Sequence, residues 1–211
     1  KAVFLTGKDI TGTWSPFSLT TPPNEFPKAE LPYLIMAPFI GPLNLSLFNA
    51  RLPYALISVA LVVVIYLISL RLFNEKIAFI AGLIMAINPW SIYFGRTAYD
   101  TPLAVFFYFL ALYILLIAKK WHILLAFPIL FLAFFSYIGT KILLIPFVVI
   151  VTFYVWHKNK KRYLKQYTTL FLLCVGLVFF FIFSLQNRAL LRTGDFLSPN
   201  NSKIINTVDT E

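Results

Sequence analysis

From Leu52 to Leu185 apolar residues run almost unbroken, and the polar residues that interrupt them come in short clusters. Six runs result, approximately Leu52–Leu70, Ile77–Ile92, Pro102–Ala118, Trp121–Ile138, Ile142–Trp156 and Tyr167–Leu185. A helix crossing a hydrocarbon core needs about 20 apolar residues, so each run predicts a transmembrane helix, allowing for tilt and frayed ends. Pro128 and Pro146 fall inside two runs and predict kinks there. Ahead of them, Leu31–Phe48 is apolar but carries Pro32, Pro38, Gly41 and Pro42. Interrupted backbone of that kind predicts one or two short helices lying at the membrane interface, with a true span as the alternative. Residues 1–31 carry Gly7, Gly12, Pro16, Pro22, Pro23 and Pro27 and read as an irregular, hydrated segment.

The pattern predicts an all-α, polytopic membrane helical bundle of about six transmembrane helices, with short interfacial helices in an N-terminal outer loop. The expected organisation is an extracytoplasmic loop over residues 1–51, a six-helix transmembrane region over 52–186 and a truncated extracytoplasmic loop over 187–211.

Composition agrees. The chain is 60% hydrophobic and 12% charged, with a mean hydropathy of +0.82, which is outside the range of soluble domains. A formal charge of +10 raises the question of nucleic acid. The bases, however, sit in small groups at the ends of apolar runs rather than on one face, so no nucleic-acid partner is expected. Those groups instead fix orientation. The loops after the first, third and fifth runs hold Arg71 and Lys76, Lys119 and Lys120, then Lys158, Lys160, Lys161, Arg162 and Lys165, whereas the two alternating loops hold only Arg96 and Lys141. The positive-inside rule makes the first set cytoplasmic. Both ends of the chain are then extracytoplasmic, in what is expected to be the plasma membrane. Trp90 and Tyr93 at the outer end, and Trp121, Trp156, Tyr163 and Tyr167 at the inner end, fit an interfacial aromatic belt. An outer N-terminal segment with no leader or earlier span implies a piece of a longer protein, lacking at least one helix before Lys1.

With this topology the acidic residues other than Glu75 (Asp9, Glu25, Glu30, Asp100, Asp195, Asp209 and Glu211) all lie outside. Asn88–Asp100 reads as the outer corner of a membrane hairpin and holds Arg96 and Asp100. A charge at the bilayer centre costs roughly 2.5–3.5 kcal/mol even on the lenient insertion scale, so both belong at an interface or in a polar cavity. Simpler roles stand beside that one: Asp100 or Thr101 as a helix cap before Pro102, and Arg96 snorkelling to lipid phosphates. If the corner is helical, the two are spaced to pair on one face. Lys28, Arg51, Arg96, Lys141, Arg188 and Arg192 form a basic set suited to an anionic head group. His122 and His157, each beside a tryptophan, read as interfacial anchors, and Cys174 lies inside an apolar run. Asn44-Leu-Ser and Asn200-Asn-Ser match the glycosylation pattern by chance. No metal-ligand spacing, nucleotide-binding glycine motif or nucleophile elbow is present. No cofactor is therefore expected with certainty, although Glu25, Glu30 and Asp100 offer oxygen ligands for a divalent metal.

The order of segments then points to a family. NEFPKAELPYL is followed by a short apolar segment, ARLP opening a span, a basic turn with RLFNEK, a span ending in NPW, and an outer loop with an arginine and an acid. From about Glu25 to Pro146 the chain resembles the membrane glycosyltransferases of the GT-C class, in the branch of the protein O-mannosyltransferases and the lipid A aminoarabinose transferases. The resemblance implies an enzyme that moves a sugar, with inversion, from a polyprenyl-phosphate donor to a protein, glycan or lipid acceptor at the outer membrane face. It implies a catalytic base on a helix before Lys1, with Glu25, Glu30 and Asp100 as the acidic candidates here. Lys28 fits the family's loop lysine, although Pro27 precedes it and Ala29-Glu30 follows. Arg96 and Lys141 complete the expected donor-phosphate set. The main alternative is a polytopic membrane transporter, which would carry ionisable residues near the midplane and signs of repeated halves. A structural membrane subunit is the third reading.

Overall fold

The computed structural model describes residues 2–8, 29, 31–42, 46–97, 99–158 and 163–197. Among these every regular element is helical. A five-residue helix, α1 (Ala2–Thr6), precedes α2 (Leu31–Ile40), α3 (Leu47–Leu72), α4 (Glu75–Ile87), α5 (Pro89–Thr97) and α6 (Thr101–Ile117). A 3-10 segment at Lys120–Leu125 leads into α7 (Ala126–Ser136), and another at Ile138–Leu143 leads into α8 (Leu144–Lys158), before α9 (Leu164–Leu197).

Local chemistry explains most of the boundaries. Ser46 Oγ accepts from the Asn49 N–H at 3.2 Å, which starts α3 more than a turn before the expected Leu52. Asn74 Oδ1 accepts from the Ile77 N–H at 3.0 Å and starts α4. Between them Phe73 closes α3 on the Ser69 carbonyl at 2.8 Å. The result is a tight reversal in which Gly82 of α4 lies against Tyr66 of α3. Pro128 and Pro146 each fall in the first turn of an α-helix preceded by a 3-10 segment. A missing N–H has no intrahelical partner to lose there, so these prolines start helices rather than kinking them.

The second expected span divides. α4 ends at Asn88, whose ψ of 122° is extended, and α5 departs at 51° to it. Asn88 Oδ1 accepts from the Trp90 N–H at 2.9 Å and Pro89 opens α5, a cap-then-proline start. The corner expected to be a loop is thus largely helix. α2 has 10 residues, about 15 Å of rise, and stops at Gly41-Pro42.

By length and composition α3 and the Leu164–Phe183 part of α9 can each cross a membrane, as can α4 and α5 if the bent pair is one span. α6, at 17 residues, and the segments containing α7 and α8 are apolar but shorter. α9 continues to Leu197, past the expected end at Leu185.

Two compact units divide the chain at Leu177 and Val178. Within the first, α6 is packed between α3 and α7. Ala104, Tyr108, Ala111 and Leu115 form a buried stripe on α6, and Ala126, Leu130 and Ala133 one on α7; their small residues let the backbones approach closely. Leu61, Val64 and Ile68 of α3 complete the core. Leu56, Val59 and Val63 of α3, and Phe79, Ile80, Leu83, Ile84 and Ile87 of α4, are exposed. Apolar faces of that extent are stable only against lipid or another protein surface.

Candidate functional site

The expected site residues fall into three groups. Glu25, Lys28 and Glu30 lie outside the described residues. Arg96 and Asp100 belong to the corner between α5 and α6, and Lys141 to the second 3-10 segment.

The corner is built on aromatic contacts. Phe94 of α5 meets Trp90, Tyr93 and Tyr99 at ring-centroid distances of 5.0, 5.2 and 5.5 Å. The Phe94–Tyr99 contact ties the link after α5 back onto the helix, and Thr97 Oγ1 closes the last turn on the Tyr93 carbonyl at 3.0 Å. Gly95 sets how closely α5 approaches α3: a Cβ there would stand 2.5 Å from Ser58 Oγ and 2.9 Å from Ser58 Cβ. Next to Gly95, Arg96 is exposed. Because α5 ends at Thr97, helical geometry does not continue to Asp100, and no ion pair joins Arg96 to Asp100.

Asp100 occupies the N-cap position of α6 with Pro102 in the first turn, as expected, but its backbone is helical and its side chain makes no cap hydrogen bond. It is half-buried. Burial pushes its carboxyl above the usual carboxylate range, while the backbone N–H groups of Asp100 and Thr101 pull the other way.

Tyr54 of α3 feels both this acid and Tyr33 of α2 electrostatically, and neither tyrosine was among the expected site residues. Tyr54 is 1% exposed and lies in electrostatic range of both Asp100 and Tyr33. Its hydroxyl makes no hydrogen bond to a described residue, which costs about 1–3 kcal/mol for a buried polar group. Tyr33 is 40% exposed. The available signal was the helical register of α3, since Tyr54 follows Arg51 by one turn, but a tyrosine in an apolar run carries no charge to mark it.

Lys141 sits differently. It is 8% exposed, with Nζ 5.4 and 5.3 Å from the ring centroids of Phe134 and Phe135. The preceding residue, Thr140, accepts a hydrogen bond through its carbonyl from the Tyr108 hydroxyl at 2.9 Å, and Tyr108 also meets the Phe147 ring at 5.0 Å. Tyr108 is two turns into α6 from Asp100, about 12 Å along the axis. The structure therefore sets Asp100 in electrostatic range of Tyr54, and holds Lys141 buried against the Phe134 and Phe135 rings of α7.

No group of three His, Cys, Asp or Glu side chains suited to a metal gathers among the described residues. A groove of about 550 Å³ lined by Val149, Ile150, Phe153, Tyr154 and His157 lies on α8 and contains no acid.

A family model described as dolichyl-phosphate-mannose-protein mannosyltransferase matches residues 33–185, a span that takes in Tyr33, Tyr54, Arg96, Asp100 and Lys141. No curated protein and no solved structure matches the chain.

Proposed function

The chain belongs to the dolichyl-phosphate-mannose-protein mannosyltransferase family, and on that premise we propose that it forms part of an enzyme transferring a sugar from a polyprenyl-phosphate donor to an acceptor at the outer membrane face. The family match over residues 33–185 carries this reading. It makes the chain part of an integral membrane glycosyltransferase, and the chemistry of such a transfer suits the polar groups at the α5–α6 corner.

Breaking the bond between the sugar and its phosphate leaves negative charge on the carrier. A cation placed where that charge develops lowers the barrier; Arg96, exposed at the end of α5, takes that role together with Lys28, and Lys141 supports the carrier from below. The attacking hydroxyl or amine must lose its proton to a carboxylate within hydrogen-bond reach. Asp100, with Glu25 and Glu30, supplies carboxylates to position donor or acceptor. The apolar α2 segment borders the groove for the lipid chain, and the acceptor is a protein, glycan or lipid.

Transfer of labelled sugar from a polyprenyl-phosphate donor by the full-length protein in proteoliposomes tests this. Arg96→Ala and Lys28→Ala should each reduce the rate and weaken donor binding. Wild-type rate and donor affinity in both variants, with normal insertion, would remove the phosphate role. Orientation is tested by cysteines at Ser91 and Asn159, which should react with impermeant reagents from opposite sides of the membrane.

A further inference from the structure

The groove on α8 changes chemistry along its length. Its lining residues, Val149, Ile150, Phe153, Tyr154 and His157, stand at i, i+1, i+4, i+5 and i+8 and so share one side of the helix. All five are exposed, and a volume of about 550 Å³ is in the range of sites that take a small ligand. Toward Val149 the lining is wholly aliphatic or phenyl, whereas the Tyr154 phenol and the His157 imidazole come only at the far end. There the His157 ring stacks on that of Phe153, with centroids 6.4 Å apart and planes at 19°, so the wall is continuous where it turns polar. Lys158 follows as the last residue of α8, and Lys165 lies exposed at the start of α9. The sequence between them adds Lys160, Lys161 and Arg162, and no acidic residue stands anywhere between Asp100 and Asp195.

We propose that this groove holds an acyl chain of a negatively charged phospholipid, with the lipid phosphate at the His157–Lys158 end. Val149 to His157 covers about 12 Å of helix, against about 15 Å for one leaflet of a hydrocarbon core, so one chain of one leaflet fits the length. The order of the lining matches too, apolar where the chain lies and polar where the head group begins. Hydrocarbon against hydrocarbon gives little preference for one lipid over another, so the groove supplies the fit and charge supplies the choice. Bases just beyond a helix end attract anionic lipids. A zwitterionic lipid would bring its own ammonium group up to those bases, and the sequence offers no acid in this stretch to offset them. The polar end of the groove is the end of α8 remote from Lys141, so the phosphate placed here is not the one that Lys141 is proposed to support.

The test places the full-length protein in phosphatidylcholine nanodiscs with a trace of phosphatidylglycerol or phosphatidylcholine carrying the same photoreactive diazirine chain, and reads the labelled peptides by mass spectrometry. Phosphatidylglycerol should label Val149–His157 about tenfold more than phosphatidylcholine at low salt. Lys158→Gln combined with Lys165→Gln should remove most of that preference while leaving phosphatidylcholine labelling within about twofold of wild type. Ile150→Trp, which fills the groove, should suppress labelling of this face by both lipids. Equal labelling by the two lipids, or a preference that survives in Lys158→Gln/Lys165→Gln, overturns the inference. Unchanged labelling in Ile150→Trp also overturns it, because the lipid would then sit on the bases without the groove. Absence of label from both lipids means that protein covers this face. Displacement of the label by dolichyl phosphate, at amounts where unlabelled phosphatidylglycerol does not displace it, gives the groove to a polyprenyl tail; each of these two results overturns the inference as well.

Discussion

The corner at Asn88–Thr101 and the corner at Tyr137–Leu144 both follow a helix and both begin another, yet they treat their polar groups in opposite ways. At the first, Arg96 is exposed, Asp100 is half-buried with its carboxyl pushed upward, and the neighbouring Tyr54 hydroxyl has no described hydrogen-bond partner. At the second, Lys141 is covered and lies over two phenylalanine rings, and the Thr140 carbonyl is taken by Tyr108. Unmet hydrogen-bonding capacity and a destabilised charge are costs a fold retains where function needs them. Groups whose bonds are met in a covered turn fit a supporting role. On the proposed function, the first corner is thus the reactive wall and the second the supporting one.

Asp100→Asn gives the largest expected effect: a fall in transfer rate of about 10²-fold, the scale of losing a group that positions a reacting partner. Its stability should move the other way. Because burial raises the folded-state carboxyl above its unfolded value, ionised Asp100 costs stability at neutral pH, and that cost disappears as pH falls through the carboxylate range. The neutral amide should thus melt at the same temperature as wild type or slightly higher. An active Asp100→Asn protein would erase the distinction between the corners.

Arg96→Ala compared with Lys141→Ala comes next. The first should slow transfer by about tenfold to a hundredfold with little change in melting temperature. The second should destabilise the protein by at least about 1 kcal/mol through loss of its ring contacts alone. Gly95→Ala should destabilise by about 1–3 kcal/mol, because its Cβ collides with Ser58 and moves α5 off α3; Gly95→Ala with Ser58→Gly should recover part of that. The smallest pair is the sharpest. Tyr108→Phe should cost about 1 kcal/mol of stability by orphaning the Thr140 carbonyl, while Tyr54→Phe should cost nothing or stabilise slightly. Equal losses in chemical denaturation would mean that both hydroxyls are structural.

How much of this could be read before the structure depends on the kind of signal. The six apolar runs each became helix because a long apolar stretch has few other ways to satisfy its backbone in a membrane. The breaks were harder to place. Pro128 and Pro146 look like interior kinks when runs are counted as single spans, and only the preceding 3-10 segments show that they are helix starts. Asn88-Pro89 was legible as a cap and first residue, but Trp90, Tyr93 and Arg96 drew it toward a loop reading. Charge marked Arg96, Asp100 and Lys141, yet it could not show that Lys141 is covered while Arg96 is not, since exposure follows from helix packing. Tyr54 carried no such mark. Its significance lies in a bond it lacks, which appears only when its neighbours are known.

The bend between α4 and α5 also fixes which coordinate of Arg96 is sensitive. At 51° to α4, each residue of α5 advances only about 1 Å along the α4 axis but turns about 100° around its own. A one-residue insertion before Arg96 would therefore barely change its depth relative to α4, yet would swing its guanidinium through more than a quarter-turn. Insertions therefore shift the height of this corner little, whereas its rotational phase recovers only when about a whole turn is added or removed.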